Sequence, residues 1–456
     1  MLLSKLFDAF IRARPICVMA RATLERLLDP IQLDALFLNT AERQYHRTLL
    51  FSQLAGLMSE VTLGVQPSIH AAFQSHRETL GISVTALYNK LDRVETAVSE
   101  ALVRESYRQA EELIGVLGQA GESLLPGYRL LILDGNHLAA TEHRIHELRY
   151  TSAAPLPGQS LAVLDHRKRL VRELFLCEDG HAQERSLLDR VLQTVQVADL
   201  WIADRNFCTL GLMCGIAQRG GCFLVRQHGQ LHGQLLGRRK RKGKTQTGVV
   251  YEQRMQINDP LTGKPRMLRR ITIELFEKTR DGETEIHLLS NVPVRDARAR
   301  KLADLYQERW TIERAFLDLT TTLTCEVKTL GYPKAALFAF SLAVLAYNAV
   351  AVIQAALRQE HGEKVDEEVS PYYLALEIEQ AYDGMMVAIP EEHWKVFRTM
   401  SLAEFAHVLC KISEHVKLTK YQKHSRGAKK AAPKRSAYRN GGHVSTARLL
   451  AMRKAC

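Results

Sequence analysis

Five short apolar runs between Pro126 and Arg226 limit what this chain can fold into more than any other feature. Tyr128-Arg-Leu-Leu-Ile-Leu-Asp134, Ser160-Leu-Ala-Val-Leu-Asp165 and Leu170-Val-Arg-Glu-Leu-Phe-Leu-Cys177 read as buried strands. Arg167-Lys168-Arg169 lies between the second and third and marks a hairpin turn. Ala182 to Val195 then carries Leu187, Leu188, Val191, Leu192 and Val195 at helical spacing. Asp199-Leu-Trp-Ile-Ala-Asp204 is a fourth strand, Thr209 to Gln218 a helix, and Gly221 to Arg226 a fifth strand. Three strands, helix, strand, helix, strand is the order of a mixed α/β sheet.

The flanks have a different texture. Up to about residue 125 the chain reads as helical, with periodic stretches such as Leu24 to Leu38 and Leu49 to Leu57. Within it, Ser68 and Ser83 are helix N-cap candidates and Gly81 sits between the two helices. This unit is helix-turn-helix-like, and Thr85, Asn89 and Arg93 would share a face of its second helix, available to a major groove. An ordinary helical hairpin is the alternative. From Gln227 to Ser290 the pattern is strands and turns, with strands expected over 249–257, 267–275 and 284–289. The run Arg238, Arg239, Lys240, Arg241, Lys242, Gly243, Lys244 reads as a basic mobile loop, either a DNA contact or a solvated stretch. A helical tail with Trp394 and Phe397 follows the last long apolar segment. The chain then turns basic, with Lys417, Lys420, Lys423, Arg426, Lys429, Lys430, Lys434, Arg435 and Arg439. The expected domains are a helical DNA-binding domain over 1–125, a first core segment over 126–227, a β-rich insertion over 228–290, a second core segment over 291–360 and a helical and basic region over 361–456.

With 456 residues, 46% of them hydrophobic, the chain can bury a sizeable core, and a net charge of +12 favours a polyanionic partner. Eight scattered cysteines without a CxxC pair give neither a metal framework nor a disulfide framework; buried thiols in a reducing cytoplasm are expected. Met1 to Met19 holds Lys5, Asp8, Arg12 and Arg14 and does not read as a signal peptide. Ala335 to Leu357 is apolar enough to span a bilayer. Its Ser341, Tyr347, Asn348 and Gln354 favour a buried core helix instead, so no membrane is expected.

The chemistry concentrates in Tyr306-Gln-Glu-Arg309-Trp-Thr-Ile-Glu313. As one helix, it stacks a phenol, a guanidinium and a carboxylate along a face, beside an apolar stripe of Leu305, Ile312, Phe316, Leu319 and Leu323. Asp134 closes the first strand and Asp204 the fourth. In a ribonuclease H-like sheet those two strands are neighbours, which would bring the aspartates together and let Glu313 join them from a packed helix. Three such carboxylates can hold two hard divalent cations about 3.5–4 Å apart, Mg2+ by preference and Mn2+ as a substitute. One ion would activate a water or a 3′-hydroxyl and the other would stabilise the leaving oxygen. Asn136, His137 and His166 lie close in sequence, which does not by itself make them ligands.

Together, Leu-Asp134-Gly135, Ala-Asp204-Arg205-Asn-Phe207 and Tyr306-x2-Arg309-x3-Glu313 resemble bacterial insertion-sequence transposases of the DDE class. The subgroup is the one with a Y-R-E-K signature and a β insertion before the catalytic Glu, and the likeness covers roughly residues 128 to 350. It implies an α/β fold with a ribonuclease H-like catalytic core interrupted by a β-rich insertion. It also implies Asp134, Asp204 and Glu313 as catalytic metal ligands, with Tyr306 and Arg309 touching a DNA strand near the cleaved end. Double-stranded DNA, as element ends and as target, would be the partner, and a homodimer would hold two ends together. The chain departs from the signature at Thr320, where the subgroup has a lysine. Two alternatives remain: a ribonuclease H-like nuclease without strand transfer, and a transposase-derived protein that only binds DNA.

Overall fold

The apolar runs after Pro126 become β1 (Arg129–His137), β2 (Gln159–Asp165), β3 (Leu170–Cys177), β4 (Asp199–Ala203) and β5 (Cys222–Arg226). A computed structural model describes residues 5–43, 48–119, 121, 123–279, 281–424 and 442–455. Four more strands follow: β6 (Gln234–Lys244), β7 (Gly248–Asn258), β8 (Pro265–Leu275) and β9 (Glu285–Ser290). All nine form one sheet in the order β3-β2-β1-β4-β5-β9-β8-β7-β6. β1 pairs antiparallel with β2 and parallel with β4, β4 runs parallel to β5, and the other pairings are antiparallel. The first and fourth strands are therefore neighbours, with Leu133 opposite Ala203.

Alternation along the strands divides the core between two faces. Leu131, Leu133, Trp201 and Ala203 point to the face covered by the helices Leu188–Leu192 and Leu210–Gln218. Leu130, Ile132, Leu200 and Ile202 belong to the larger core on the other face. That core takes in α1 (Thr96–Leu117), α2 (Ala299–Gln307), α3 (Trp310–Thr322) and α4 (Pro333–His361). α4 starts with Pro333 at its first turn, where a missing N–H costs nothing, and ends before Gly362 at φ +80. It is the one described helix long and apolar enough to cross a membrane, and 94% of its apolar window is buried inside the protein. Buried Asn348 accepts from Val171 N at 2.9 Å and donates to Val171 O at 3.0 Å and Ser106 Oγ at 3.1 Å. Glu100 on α1 accepts from Leu176 N at 2.7 Å. These side chains satisfy the free edge of β3, which would otherwise present unpaired backbone groups.

The N-terminal helices share this core with the C-terminal ones: Phe7 meets Trp394 edge-on at 4.9 Å, and Arg26 donates to Met400 O at 2.7 Å. Ser68 caps the helix Ile69–Ser75 and Ser83 caps Val84–Leu91, each accepting an N3 amide, as expected. Gly81, at φ +59, ends the short intervening helix Arg77–Leu80. Thr85, Asn89 and Arg93 are all exposed.

Several expectations need correction. The basic run Arg238–Lys244 is not a loop but half of β6, the sheet's far edge strand; its charges hid a strand that twists through two register shifts. Only Leu188–Leu192 of the expected helix 182–195 is α-helical, preceded by a 3-10 turn over Glu184–Leu187. Arg426, Lys429, Lys430, Lys434, Arg435 and Arg439 lie outside the described residues.

Candidate active site

Strand parity aims Asp134 at the face that α3 covers, because it continues the series Leu130, Ile132. The expected strand end at Asp134 holds on one side only. Pairing with β4 stops at Leu133, while pairing with β2 continues to His137 opposite Gln159. Asp134 thus sits where the sheet splits open. One strand over, Asp204 follows the last residue of β4 and caps the 3-10 turn Arg205–Phe207, its Oδ1 accepting from Asn206 N at 2.7 Å. Adjacent parallel strands of equal register place the two aspartates side by side.

Glu313 arrives from the first turn of α3, whose Ile312, Ala315 and Leu319 are buried against the same face. The expected single helix from Tyr306 to Glu313 is two helices. At Glu308 and Arg309 the amides bond to Leu305 O at 3.1 Å and Tyr306 O at 3.2 Å, a 3-10 step that redirects the chain. His166 of the β2–β3 turn meets Glu308 at 2.9 Å and pins this joint. Arg309 then reaches between the acids, with Nη2 2.6 Å from Glu313 Oε1 and Nη1 3.4 Å from Asp134 Oδ2. Its guanidinium also lies 4.7 Å from the ring of Trp310, which is 60% exposed at the rim. Tyr306 is packed against the core beneath, where burial pushes its phenol up.

Electrostatics register the crowding. The Asp134 carboxyl is pushed up to about 7, first by burial and further by Asp204 and Glu313, against the pull of Arg309 and of the Gly135 N–H. Among the described residues no three His, Cys, Asp or Glu side chains are grouped as a metal-ion cage, and Asp134 and Glu313 share Arg309 instead. The acids are near enough to repel one another without yet facing a common point.

Sequence reasoning missed Glu184. Its carboxylate hangs over Gly135, accepts a hydrogen bond from Asn206 Nδ2, and stands 3.8 Å from His137 Nδ1. Burial raises its pKa, and Asp204 adds to the rise. No spacing signal marks it, since only the folded path from β3 to β4 brings it there. Of the expected basic residues, Arg239 is engaged by Glu285 at 2.7 Å and by the Tyr251 ring at 4.0 Å, and Lys242 faces Glu252 at 3.7 Å. Arg238, Lys240 and Arg241 are exposed along β6. Thr320 donates to Phe316 O at 3.1 Å and Leu317 O at 3.0 Å, so its hydroxyl serves its own helix.

Residues 125–349 match the family model described as Transposase DDE domain. This segment spans the sheet, the β6–β9 extension, the three acids and much of α4, and the match supports a DDE transposase. No curated protein matches the chain. Among solved structures, the cryo-EM structure of a piggyBac transposase synaptic complex with hairpin DNA is similar over 95% of this chain and 90% of that one. Sequence identity there is 10% and the TM-score 0.41.

Proposed function

We propose that this chain is a DNA transposase that cuts at the ends of its own mobile element and joins them to target DNA, acting in the cytoplasm as a homodimer on double-stranded DNA. What supports this reading is that Asp134, Asp204 and Glu313, from three distant segments, come close enough at the split edge of the β3-β2-β1-β4-β5 sheet for Asp204 and Glu313 to act on the Asp134 carboxyl, with β1 and β4 adjacent as a ribonuclease H-like core would need. The donor chemistry fits a hard divalent cation, Mg2+ or Mn2+. All three groups are carboxylates, and the repulsion from Asp204 and Glu313 that adds to the burial-driven rise of Asp134 is what such a cation would relieve. Asp134, Asp204 and Glu313 are the residues that would hold it. Bound there, it would supply Lewis-acid activation of a water or a 3′-hydroxyl attacking a phosphodiester.

The chain's own residues do the remaining work. Arg309 offers a planar fork suited to a phosphate, on a joint fixed by His166 and Glu308. Tyr306 supports that fork from below. A cavity of about 1250 Å³ opens beside Glu313, with Trp310, Arg314, Tyr372 and Lys423 in its lining. Its cations offer the phosphate contact that Thr320 does not. Exposed Arg238, Lys240 and Arg241 extend a basic edge for the duplex, and Thr85, Asn89 and Arg93 form the surface that reads element ends.

The test is cleavage of an element-end duplex in Mg2+, with DNA binding measured in parallel. Asp134→Asn, Asp204→Asn and Glu313→Gln should each abolish cleavage and leave end binding largely intact. Near wild-type cleavage by any one of them removes that residue from the assignment. Cleavage by the wild type without joining of precleaved ends to a plasmid would make the protein a nuclease, and binding without metal-dependent nicking would make it a DNA-binding protein only.

A further inference from the structure

Two strands bring the aspartates together, but the sheet alone does not fix them. Beyond Leu133 and Ala203 the β1–β4 ladder has ended, so Asp134 and Asp204 sit on backbones no longer bonded to each other. One side chain spans the opening. Glu184 Oε2 accepts from Asn206 Nδ2 in the turn that Asp204 caps, and Oε1 faces His137 Nδ1 on the strand of Asp134. Beside it, Arg185 Nε donates to Asn206 O at 2.6 Å, so the Asp204 turn is held at both ends of Asn206. Gly135 makes the approach possible. Its φ is not left-handed, so conformation does not call for glycine there. A Cβ at that position would fall inside contact distance of the Glu184 carboxylate.

We propose that Glu184 is a positioning residue of this site, tying the turn that carries Asp204 to the strand that carries Asp134. The assignment rests on the transposase reading for its catalytic consequence, though not for its structural one. Losing the tie frees the Asp204 turn by an ångström or so, and misplacement of about 1 Å can cost roughly 100-fold in rate. The hold on the Asp204 turn is the hydrogen bond to Asn206 Nδ2, for which Gln at 184 still presents an oxygen, while the 3.8 Å contact with His137 is a weaker ion-pair contact that Gln gives up.

Two readouts test it. Hydrogen exchange of the 204–208 amides in the DNA-free, metal-free protein should speed up in Glu184→Ala and return to the wild-type rate in Glu184→Gln. Cleavage at saturating DNA should fall roughly ten- to a hundred-fold in Glu184→Ala, with melting temperature and DNA affinity kept, and recover to within about threefold in Glu184→Gln. Asn206→Ala should reproduce the loss, and the double alanine variant should lose nothing more, as expected for two halves of one bond. Gly135→Ala, which pushes the carboxylate aside, should join the same group. Unchanged exchange in Glu184→Ala, a Gln variant as impaired as the Ala variant, or additive losses with Asn206→Ala would each overturn the assignment. A wild type that shows the exchange pattern yet never cleaves DNA would overturn the transposase reading and leave the tie standing.

Discussion

Replacing Asp134 by Asn should stabilise the metal-free protein at pH 8 and leave it nearly unchanged near pH 4. The Asp134 carboxyl moves from an ordinary 3.8 up to about 7 in the folded chain, mainly through burial. A carboxyl with a folded pKa above its unfolded one binds more protons folded than unfolded. Its contribution to stability is full below pH 3.8 and is lost as pH rises through about 7. At roughly 1.4 kcal/mol per pH unit, ionising Asp134 costs the fold about 4 kcal/mol by pH 8. That figure is a ceiling. The pull of Arg309 is already inside that figure, and the added cost is the amide that Asn turns toward the guanidinium, about 1–3 kcal/mol. Its Oδ1 still accepts from Gly135 N, 2.9 Å away in the wild type. The net gain should be about 1–3 kcal/mol above pH 7. Urea titrations of both proteins in EDTA, at several pH values from 4 to 8, measure it directly. The gap should open between pH 4 and 7, and added Mg2+ should raise the wild-type midpoint more than the mutant's. A mutant less stable than wild type at pH 8 in EDTA, or a gap that ignores pH, would refute the reasoning.

Arg309→Ala should slow cleavage at saturating DNA by roughly 100-fold, because the phosphate fork and the charge between the acids go together, while Tyr306→Phe should cost less. An unchanged rate per folded molecule for Arg309→Ala would reduce this arginine to an ion-pair partner of Glu313. Asn348→Leu should destabilise the protein by about 3 kcal/mol in the same urea assay, since buried Val171 N and O both lose their partner. A cost below about 1 kcal/mol would show that the β3 edge is satisfied by other means.

The strands of the first half of the sheet were legible because each is a compact apolar run bounded by turn residues, whereas the pairing of β1 with β4 was expected only from a ribonuclease H-like order. The same runs are apolar at odd and even positions alike, and the structure buries both faces of β2 and β3. α4 was legible for a related reason. Its few polar residues looked misplaced for a lipid-facing helix, and Asn348 turned out to bond the backbone of β3. The basic half of β6 was not legible, since strand propensity is weak there and edge charges obey no period. Such charges also discourage pairing with another chain, so their presence alone does not separate a DNA contact from a protected edge.

For the site, the limits lie in chain direction, not in residue type. Tyr306 to Glu313 contains neither Pro nor Gly, so nothing in the sequence marks the 3-10 step at Glu308 and Arg309. At that step Glu308 meets His166, a residue of the β2–β3 turn far away in sequence. Arg309 and Glu313 still form an i, i+4 pair across it. The guanidinium also reaches past Glu313 to Asp134 and sets a positive charge among the acids. Glu184 is hidden for the same reason: its place over Gly135 follows from the short turn Glu184–Leu187, which the apolar spacing of 182–195 disguised as helix. Sequence pattern therefore identified which groups carry the charge, and contacts between distant turns decided where each charge points.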